Sequence, residues 1–161
     1  LLENRMKYVA IYAAAIIAAN LSVATFGPMV TPINAFFLIG LDLALRDFLH
    51  TRLTRWQMIG LIVGTGLVSY AINPASGMIA VASVIAFVAS SCVDWVVFIR
   101  VTGRWLTRSN TSNIAGAAVD SVLFPTIAFG SLMPEIVLTQ FVAKVAGGFL
   151  WAYLLRNKVS A

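Results

Sequence analysis

Charged side chains inside long apolar stretches are the residues of this sequence that could do chemistry. Asp42 and Arg46 are four residues apart, which places them on one helix face, and Asp47 follows near the end of the same stretch. Asp120 and Lys144 lie near the middle of two later apolar stretches. Because an ionisable group at the centre of a membrane helix costs roughly 2.5–3.5 kcal/mol, such groups are retained where they are paired or face water. These residues are therefore expected to form ion pairs, a polar binding site, or both.

Asp120 and Lys144 lie at similar depths on consecutive antiparallel helices. A rise of about 1.5 Å per residue places them ~12 Å and ~16 Å from the helix ends that carry basic residues, so they can meet. One interpretation is a salt bridge that joins two helices; the other is a polar central site. Asp120 and Lys144 each belong to a helix face that could either line a binding site or pack against another helix. The two faces consist of Asn113, Gly116 and Asp120 on one helix and of Gln140, Lys144, Gly147 and Trp151 on the other.

Amide side chains add to the candidate site. Asn20 lies deep in the first apolar stretch, where it either bonds to another helix or contacts a ligand. Asn34 lies near the opposite surface from the basic residues and is interpreted as a loop or cap residue. The candidate substrate-binding residues are Asn20, Asp42, Arg46, Asp120, Gln140 and Lys144.

The composition indicates which elements must position these residues. The chain has 161 residues, of which 60% are hydrophobic and 11% charged, and its mean hydropathy is +0.92. Soluble domains carry about 25% charged residues, so this composition excludes a soluble globular protein, and it is far too apolar for disorder. A spanning helix needs about 20 mostly apolar residues. The sequence predicts an all-α integral membrane protein with one domain over residues 1–161 and six spans, at residues 6–25, 32–50, 57–73, 77–99, 112–130 and 135–155.

The basic residues predict the orientation of these spans. Nine of the 11 lie at alternate breaks or at the termini, namely Arg5, Lys7, Arg52, Arg55, Arg100, Arg104, Arg108, Arg156 and Lys158. Because Lys and Arg concentrate in cytoplasmic loops, both termini are expected in the cytoplasm, and the protein in the plasma (inner) membrane. The net charge of +5 is then a topology signal that faces anionic lipid, with no nucleic-acid partner expected.

Two further patterns concern the organisation of the spans. Three spans in each half would give an inverted repeat, and Asn34 with Asp42 is weakly echoed by Asn113 with Asp120. Small residues repeat every four positions in the first span and would let helices approach closely, either within the protein or against a partner membrane subunit. This small-residue face consists of Ala10, Ala14 and Ala18.

Enzyme chemistry has little support in the sequence. The chain contains no motif of the metalloprotease, serine hydrolase or phosphate-binding-loop type. Cys92 is the single cysteine, which excludes a disulfide within the chain and a metal site built from several cysteines. We therefore expect no enzyme, no cofactor and no metal.

Several segments resemble the vitamin uptake transporter family, also called queuosine-precursor transporters. They include Pro32-Ile33-Asn34, Leu41-Asp42, the run from Ser109 to Ser112, Val119-Asp120-Ser121 with the residues up to Phe129, and Lys144. The resemblance implies a six-helix carrier that imports 7-deazaguanine precursors of queuosine, with Asp42, Asp120 and Lys144 as intramembrane polar positions. The family often has an acid one turn after the first aspartate, where this chain has Arg46.

The residues suit such a substrate. A guanine-like edge offers two adjacent N–H donors, which Asp120 or Asp42 could accept, and a carbonyl to which Lys144, Gln140 or Asn20 could donate. Phe124 or Trp151 could stack on the ring. The alternative is a substrate-binding membrane subunit of an ATP-driven importer, which would dock through the small-residue face. A third interpretation is a structural membrane protein without transport activity.

Overall fold

The computed structural model describes residues 2–50 and 52–159, with side chains at 6–46, 48–49, 52–54, 56–104 and 106–155. The side chain of Asp47 lies outside the described residues, so its position near a helix end stays a prediction. The side chains of four basic residues that predict the orientation also lie outside the described residues, namely those of Arg5, Arg55, Arg156 and Lys158.

Within the described residues the chain forms six long helices and no strand, which confirms the all-helical prediction. They are α1 (Leu2–Phe26), α2 (residues 28–50), α3 (Arg55–Ile72), α4 (Gly77–Arg100), α5 (Trp105–Phe129) and α6 (Pro134–Val159). Helix α5 begins at Trp105, whereas the sequence predicted that this span begins at residue 112. The helix includes polar residues that precede its apolar part. Arg108 therefore lies in α5, and Arg100 is the last residue of α4, whereas both were predicted in the break between the two spans.

Five of these helices are long and apolar enough to cross a membrane by length and composition. The sixth, α3, has 18 residues, and its apolar part, Trp56–Ile72, is shorter. Eighteen residues extend about 27 Å, just under the roughly 30 Å of a hydrocarbon core. Outward-facing side chains are largely apolar, as a surface in contact with lipid requires; examples are Leu67, Val81, Leu138 and Val142.

Helix α2 is irregular along its length. A 3-10 turn (Pro28–Val30) and an α segment (Thr31–Asn34) precede a π segment (Ala35–Ile39) and a final α segment (Gly40–His50). The π segment packs on α6, where a Cβ on Gly40 would lie 2.7 Å from the carbonyl carbon of Gly147. Trp151 Nε1 donates to the carbonyl of Phe37 at 3.1 Å in the same crossing. The two helices therefore meet backbone to backbone, which glycine alone permits.

The six helices form a ring in the order α1, α2, α6, α5, α4 and α3, with α3 returning to α1. A cluster of large apolar side chains fills the ring towards the ends of α1, α2 and α3 that carry basic residues. We call it the core cluster, and its buried members are Tyr12, Ile16, Leu45, Phe48, Leu49, Met58, Ile62 and Phe87. The remaining space inside the ring lies next to this cluster.

Candidate binding cavity

A cavity of about 60 Å³ lies inside the ring, and all six helices contribute to its lining. This is room for about four water molecules, since each needs roughly 10–15 Å³. The charged and amide side chains that line it are Asn20, Asn34, Asp42, Arg46, Asp120, Gln140 and Lys144. All six predicted site residues are therefore brought together in one place.

Asp42 and Arg46 form the first ion pair of the cavity. Arg46 Nη2 donates to Asp42 Oδ2 at 3.0 Å, and both side chains are almost fully buried. The guanidinium also lies 4.4 Å from the ring centre of Phe87, and its Nη1 donates to Ser90 Oγ and Ser91 Oγ at 3.4 and 3.3 Å. The intrahelical pair expected from the four-residue spacing is confirmed, and α4 fixes it from the far side.

Lys144 and Asp120 form the second ion pair, which joins α6 to α5. Lys144 Nζ donates to Asp120 Oδ2 at 2.6 Å and to Gln140 Oε1 at 2.9 Å. The side chain of Lys144 is 2% exposed and that of Asp120 is 16% exposed. The prediction that these two residues meet across antiparallel helices is confirmed, and the pair lines the cavity as well as joining helices.

The charges that line the cavity balance. Two carboxylates face two cations among the described lining residues, and the buried carboxylate of Asp94, outside the lining, adds a negative charge near Arg46. A ligand with a large charge of either sign would leave an uncompensated charge in a site of low dielectric, which is costly. The arrangement favours a neutral polar ligand.

Three lining residues keep a buried polar atom without a partner in the described part of the chain. Asp42 Oδ1 is an acceptor, and Arg46 Nε and Gln140 Nε2 are donors. Buried polar groups are nearly always hydrogen-bonded in folded proteins. One acceptor and two donors are therefore available to a molecule that enters the cavity, and the buried Tyr12 hydroxyl lies next to the same Asp42 carboxylate.

Asn20 joins three helices while it lines the cavity. Its Nδ2 donates to Ser69 Oγ at 3.3 Å, and its Oδ1 accepts from Ser83 Oγ at 2.7 Å. The interhelical interpretation of this amide is confirmed, because α1, α3 and α4 meet through it.

Asn34 was expected near the surface as a loop or cap residue, and that expectation is wrong. The residue is buried, lines the cavity, and donates from Nδ2 to Ser22 Oγ at 2.7 Å. The reason is that α2 begins at Pro28, so Asn34 lies two turns inside a helix and faces α1.

The two predicted faces do not follow the cavity along their whole length. Gln140 and Lys144 line it, but Gly147 and Trp151 pack on the π segment of α2, so Trp151 is not available for stacking on a ligand. On α5, Gly116 faces α4, where a Cβ would lie 3.3 Å from the carbonyl oxygen of Ser90. Asn113 bonds within its own helix, to Ser109 Oγ at 3.4 Å, so Asp120 is the member of its face that lines the cavity.

Aromatic side chains supply the apolar part of the lining. Phe124 lines the cavity beside Asp120, as expected, and Phe87 lines it from α4 beneath the Arg46 guanidinium. Phe87 was not singled out from the sequence because one phenylalanine in an apolar helix carries no signal of its position.

A π segment lies next to one cavity aspartate and a proline next to the other. The π segment of α2 ends three residues before Asp42, and Pro125 lies inside the continuous helix α5, five residues after Asp120. Proline has no N–H, so the carbonyl of Ser121 loses its usual helical partner. Irregular backbone in membrane helices is tolerated where it lines a cavity or is buried in protein.

The cavity lies towards the ends of the helices that lack basic residues. Val23 and Thr31 line it within one turn of the turn between α1 and α2, and Gln140 lies only two turns into α6. The core cluster closes the other half of the ring. The cavity is therefore closer to the surface that lacks basic residues than to the surface that carries them.

Comparisons with known proteins agree with these features. No curated protein and no solved structure matches the chain. A family model described as vitamin uptake transporter matches residues 6–155, which is nearly the whole chain. Together with the candidate spanning helices, this match identifies a multi-pass membrane protein. The chain belongs to the vitamin uptake transporter family.

Proposed function

We propose that this chain is a six-span carrier that imports a small, neutral, polar heterocycle, and that its substrate is a 7-deazaguanine precursor of queuosine. Both termini lie in the cytoplasm, the membrane is the plasma (inner) membrane, and the substrate is carried unchanged by alternating access. The family match supports uptake of a vitamin-like compound. The finer assignment depends on the chemistry of the cavity.

The observation that carries the proposal is a cavity whose lining charges balance and whose lining holds one acceptor and two donors without a partner in the described residues. Asp42 Oδ1 is available for a ring N–H, and Gln140 Nε2 is available for a carbonyl. The edge of a 7-deazaguanine offers N–H donors beside a carbonyl acceptor and has no net charge. Phe87 and Phe124 line the cavity and provide apolar surface for the faces of the ring.

The two halves of the chain support an inverted repeat. α2 and α5 are the central helices of the two halves. Each carries one cavity aspartate, with a π segment near it in α2 and a proline near it in α5. Interrupted helices in corresponding positions of two halves are typical of transporter binding sites near the middle of the membrane. We infer that movement of one half against the other opens the cavity alternately to the two sides.

In the proposed cycle, we infer that the described state is closed towards the cytoplasm. The core cluster separates the cavity from the basic, cytoplasmic ends, so the state is closed on that side. Import then requires Tyr12 on α1 and Leu49 on α2 to move apart from Met58 on α3.

Uptake of labelled 7-deazaguanine by cells that express this chain alone tests the proposal. We expect accumulation above that of cells with an empty vector. The matched control is Glu135→Gln, which also neutralises one acid but lies in the exposed first turn of α6; it should transport normally, whereas Asp120→Asn should not. Equal uptake by all of these cells, empty vector included, would contradict the proposal.

A second candidate function is a substrate-binding subunit of an ATP-driven importer. The observation that favours it is that Ala10, Ala14 and Ala18 all lie exposed on the outside of the ring, so their face does not pack within the described protein. A partner helix could approach closely there. Binding of 7-deazaguanine by the purified chain, without uptake by cells that express it alone, would favour the subunit over the carrier.

A further inference from the structure

We propose that Gln140 determines specificity by donating to the carbonyl of the substrate, and that Lys144 is the positioning residue that fixes the orientation of the Gln140 amide. The inference rests on the proposed function, because it takes a 7-deazaguanine-type ring as the ligand.

The contact with Lys144 decides which end of the Gln140 amide remains free. An ammonium group has three donors and no acceptor, so it requires an oxygen opposite it. The Lys144 Nζ lies 2.9 Å from Gln140 Oε1. A flipped amide would place its N–H groups against the ammonium, where donors of both residues would oppose each other. Lys144 is itself held by Asp120 at 2.6 Å, so the constraint on the amide is rigid.

The free end of the amide is a donor in need of an acceptor. Gln140 is 1% exposed, and its Nε2 has no hydrogen-bond partner within the described residues. Leaving a buried N–H unpaired costs about as much as a lost hydrogen bond, so the site gains when an acceptor arrives. Since Gln140 lines the cavity, that acceptor belongs to the ligand.

Asp42 supplies the complementary half of the recognition. Arg46 occupies Oδ2 of this carboxylate. Oδ1 makes no well-formed hydrogen bond within the described residues, although the buried Tyr12 hydroxyl lies next to the carboxylate. In each case a cation donates to one atom of the side chain and leaves the other for the ligand. The cavity therefore distinguishes a ring that offers an N–H and a carbonyl from one that offers two donors or two acceptors.

A structural role for Gln140 would need only its oxygen. Glutamate provides the same length and an oxygen for Lys144, but it lacks the N–H donors. Gln140→Glu therefore keeps the contact with Lys144 and removes the proposed contact with the ligand. Gln140→Met, which carries neither donor nor charge, is a second variant with similar volume.

The experiment measures binding of two probes to the purified chain by calorimetry. The probes are 7-deazaguanine and its 6-thio analogue, which keeps the ring N–H groups but replaces the carbonyl oxygen with sulfur, a weaker acceptor. We expect the wild type to prefer the oxygen compound by about tenfold, the usual weight of one hydrogen bond. Gln140→Glu and Gln140→Met should bind the oxygen compound at least about tenfold more weakly and lose the preference.

Two further comparisons separate a specificity role from a structural one. Gln57→Glu is the matched control, because Gln57 is exposed and its side-chain oxygen caps α3 by accepting from Thr54 N at 3.0 Å, a contact that glutamate keeps. Lys144→Arg should retain the oxygen preference, since a guanidinium is also a donor only, whereas Lys144→Gln should reduce it by allowing both amide orientations.

Each outcome decides between the two proposals. A wild type that binds 7-deazaguanine, together with both Gln140 variants that keep the oxygen preference, overturns the role of Gln140 and leaves the proposed function standing. An unchanged preference in Lys144→Gln overturns the positioning role. A wild type that binds neither probe overturns the proposed function and with it this inference.

Discussion

Gly147 lies where α6 crosses the π segment of α2, and a methyl group has no room there. A Cβ on Gly147 would overlap the carbonyl oxygen of Phe36 and lie 2.9 Å from its carbonyl carbon and 3.0 Å from its Cα. Carbon atoms pack at about 3.5–4.0 Å, so the two helices must separate by roughly 0.5–1 Å to accept alanine. Because the opposing atoms are backbone, they cannot rotate away as the end of a flexible side chain would.

This separation has an energetic and a functional consequence. Overpacking of this kind costs about 1–3 kcal/mol, and weakening of the bond from Trp151 Nε1 to the Phe37 carbonyl would add about 1 kcal/mol. The same crossing sets the distance between Asp42 on α2 and Lys144 on α6. We therefore expect Gly147→Ala to lower the free energy of unfolding by about 2–4 kcal/mol and to weaken binding of 7-deazaguanine.

Thermal unfolding of the purified protein in detergent, followed by a binding titration, checks this expectation. The adjacent glycine is the matched control, because a Cβ on Gly148 would lie 3.8 Å from Leu43 Cδ1, an ordinary contact. Gly148→Ala should unfold and bind as the wild type does. If Gly147→Ala matched Gly148→Ala in both measurements, the close approach of α2 and α6 would not be what positions the cavity.

Three other predictions concern the ion pair, the small-residue face and the orientation. Removing either Asp120 or Lys144 should lower the free energy of unfolding by about 3–5 kcal/mol, because the other residue is left as an unpaired buried charge. The exchange Asp120→Lys with Lys144→Asp should restore stability in a thermal unfolding assay but should not restore 7-deazaguanine binding. Wild-type affinity in the exchanged protein would contradict a binding role. Ala14→Leu should leave the yield of folded protein unchanged because Ala14 is exposed. It should reduce uptake only if a partner subunit docks on this face. A fall in the yield would show instead that the face packs within the protein. Reporter fusions after Ala75 should report the outside and those after Arg104 the cytoplasm, and the reverse result would invert the orientation.

The helices and the ion pairs were predictable because they depend on local properties of the sequence. Apolar length marks a membrane helix whatever its neighbours are. Asp42 and Arg46 pair through a spacing that any α-helix brings together, and Asp120 and Lys144 pair through equal depth on consecutive helices. Helix ends were less predictable, since α5 continues past its apolar part to Trp105.

The convergence of both pairs on one cavity was not predictable in the same way. It depends on the order of the helices around the ring, and spacing along the chain does not encode that order. The face from Gln140 to Trp151 shows the limit, because 11 residues extend about 16 Å and meet more than one neighbour. Gln140 therefore lines the cavity while Trp151 reaches the π segment, a feature that no residue pattern in α2 signals.

Substrate protection of a thiol at position 83 tests most directly whether this cavity is the substrate site. Ser83 lines the cavity from α4, and cysteine is close to serine in size and shape. Cys92 lies exposed on the same helix, so the Ser83→Cys variant carries its own control. A small membrane-permeant thiol reagent, with each site quantified by mass spectrometry, should label position 83 more slowly in the presence of 7-deazaguanine and Cys92 at an unchanged rate. The 7-deazaguanine concentration must be one at which the Ser83→Cys variant binds the compound. An unchanged rate of labelling at position 83 under that condition would contradict the account.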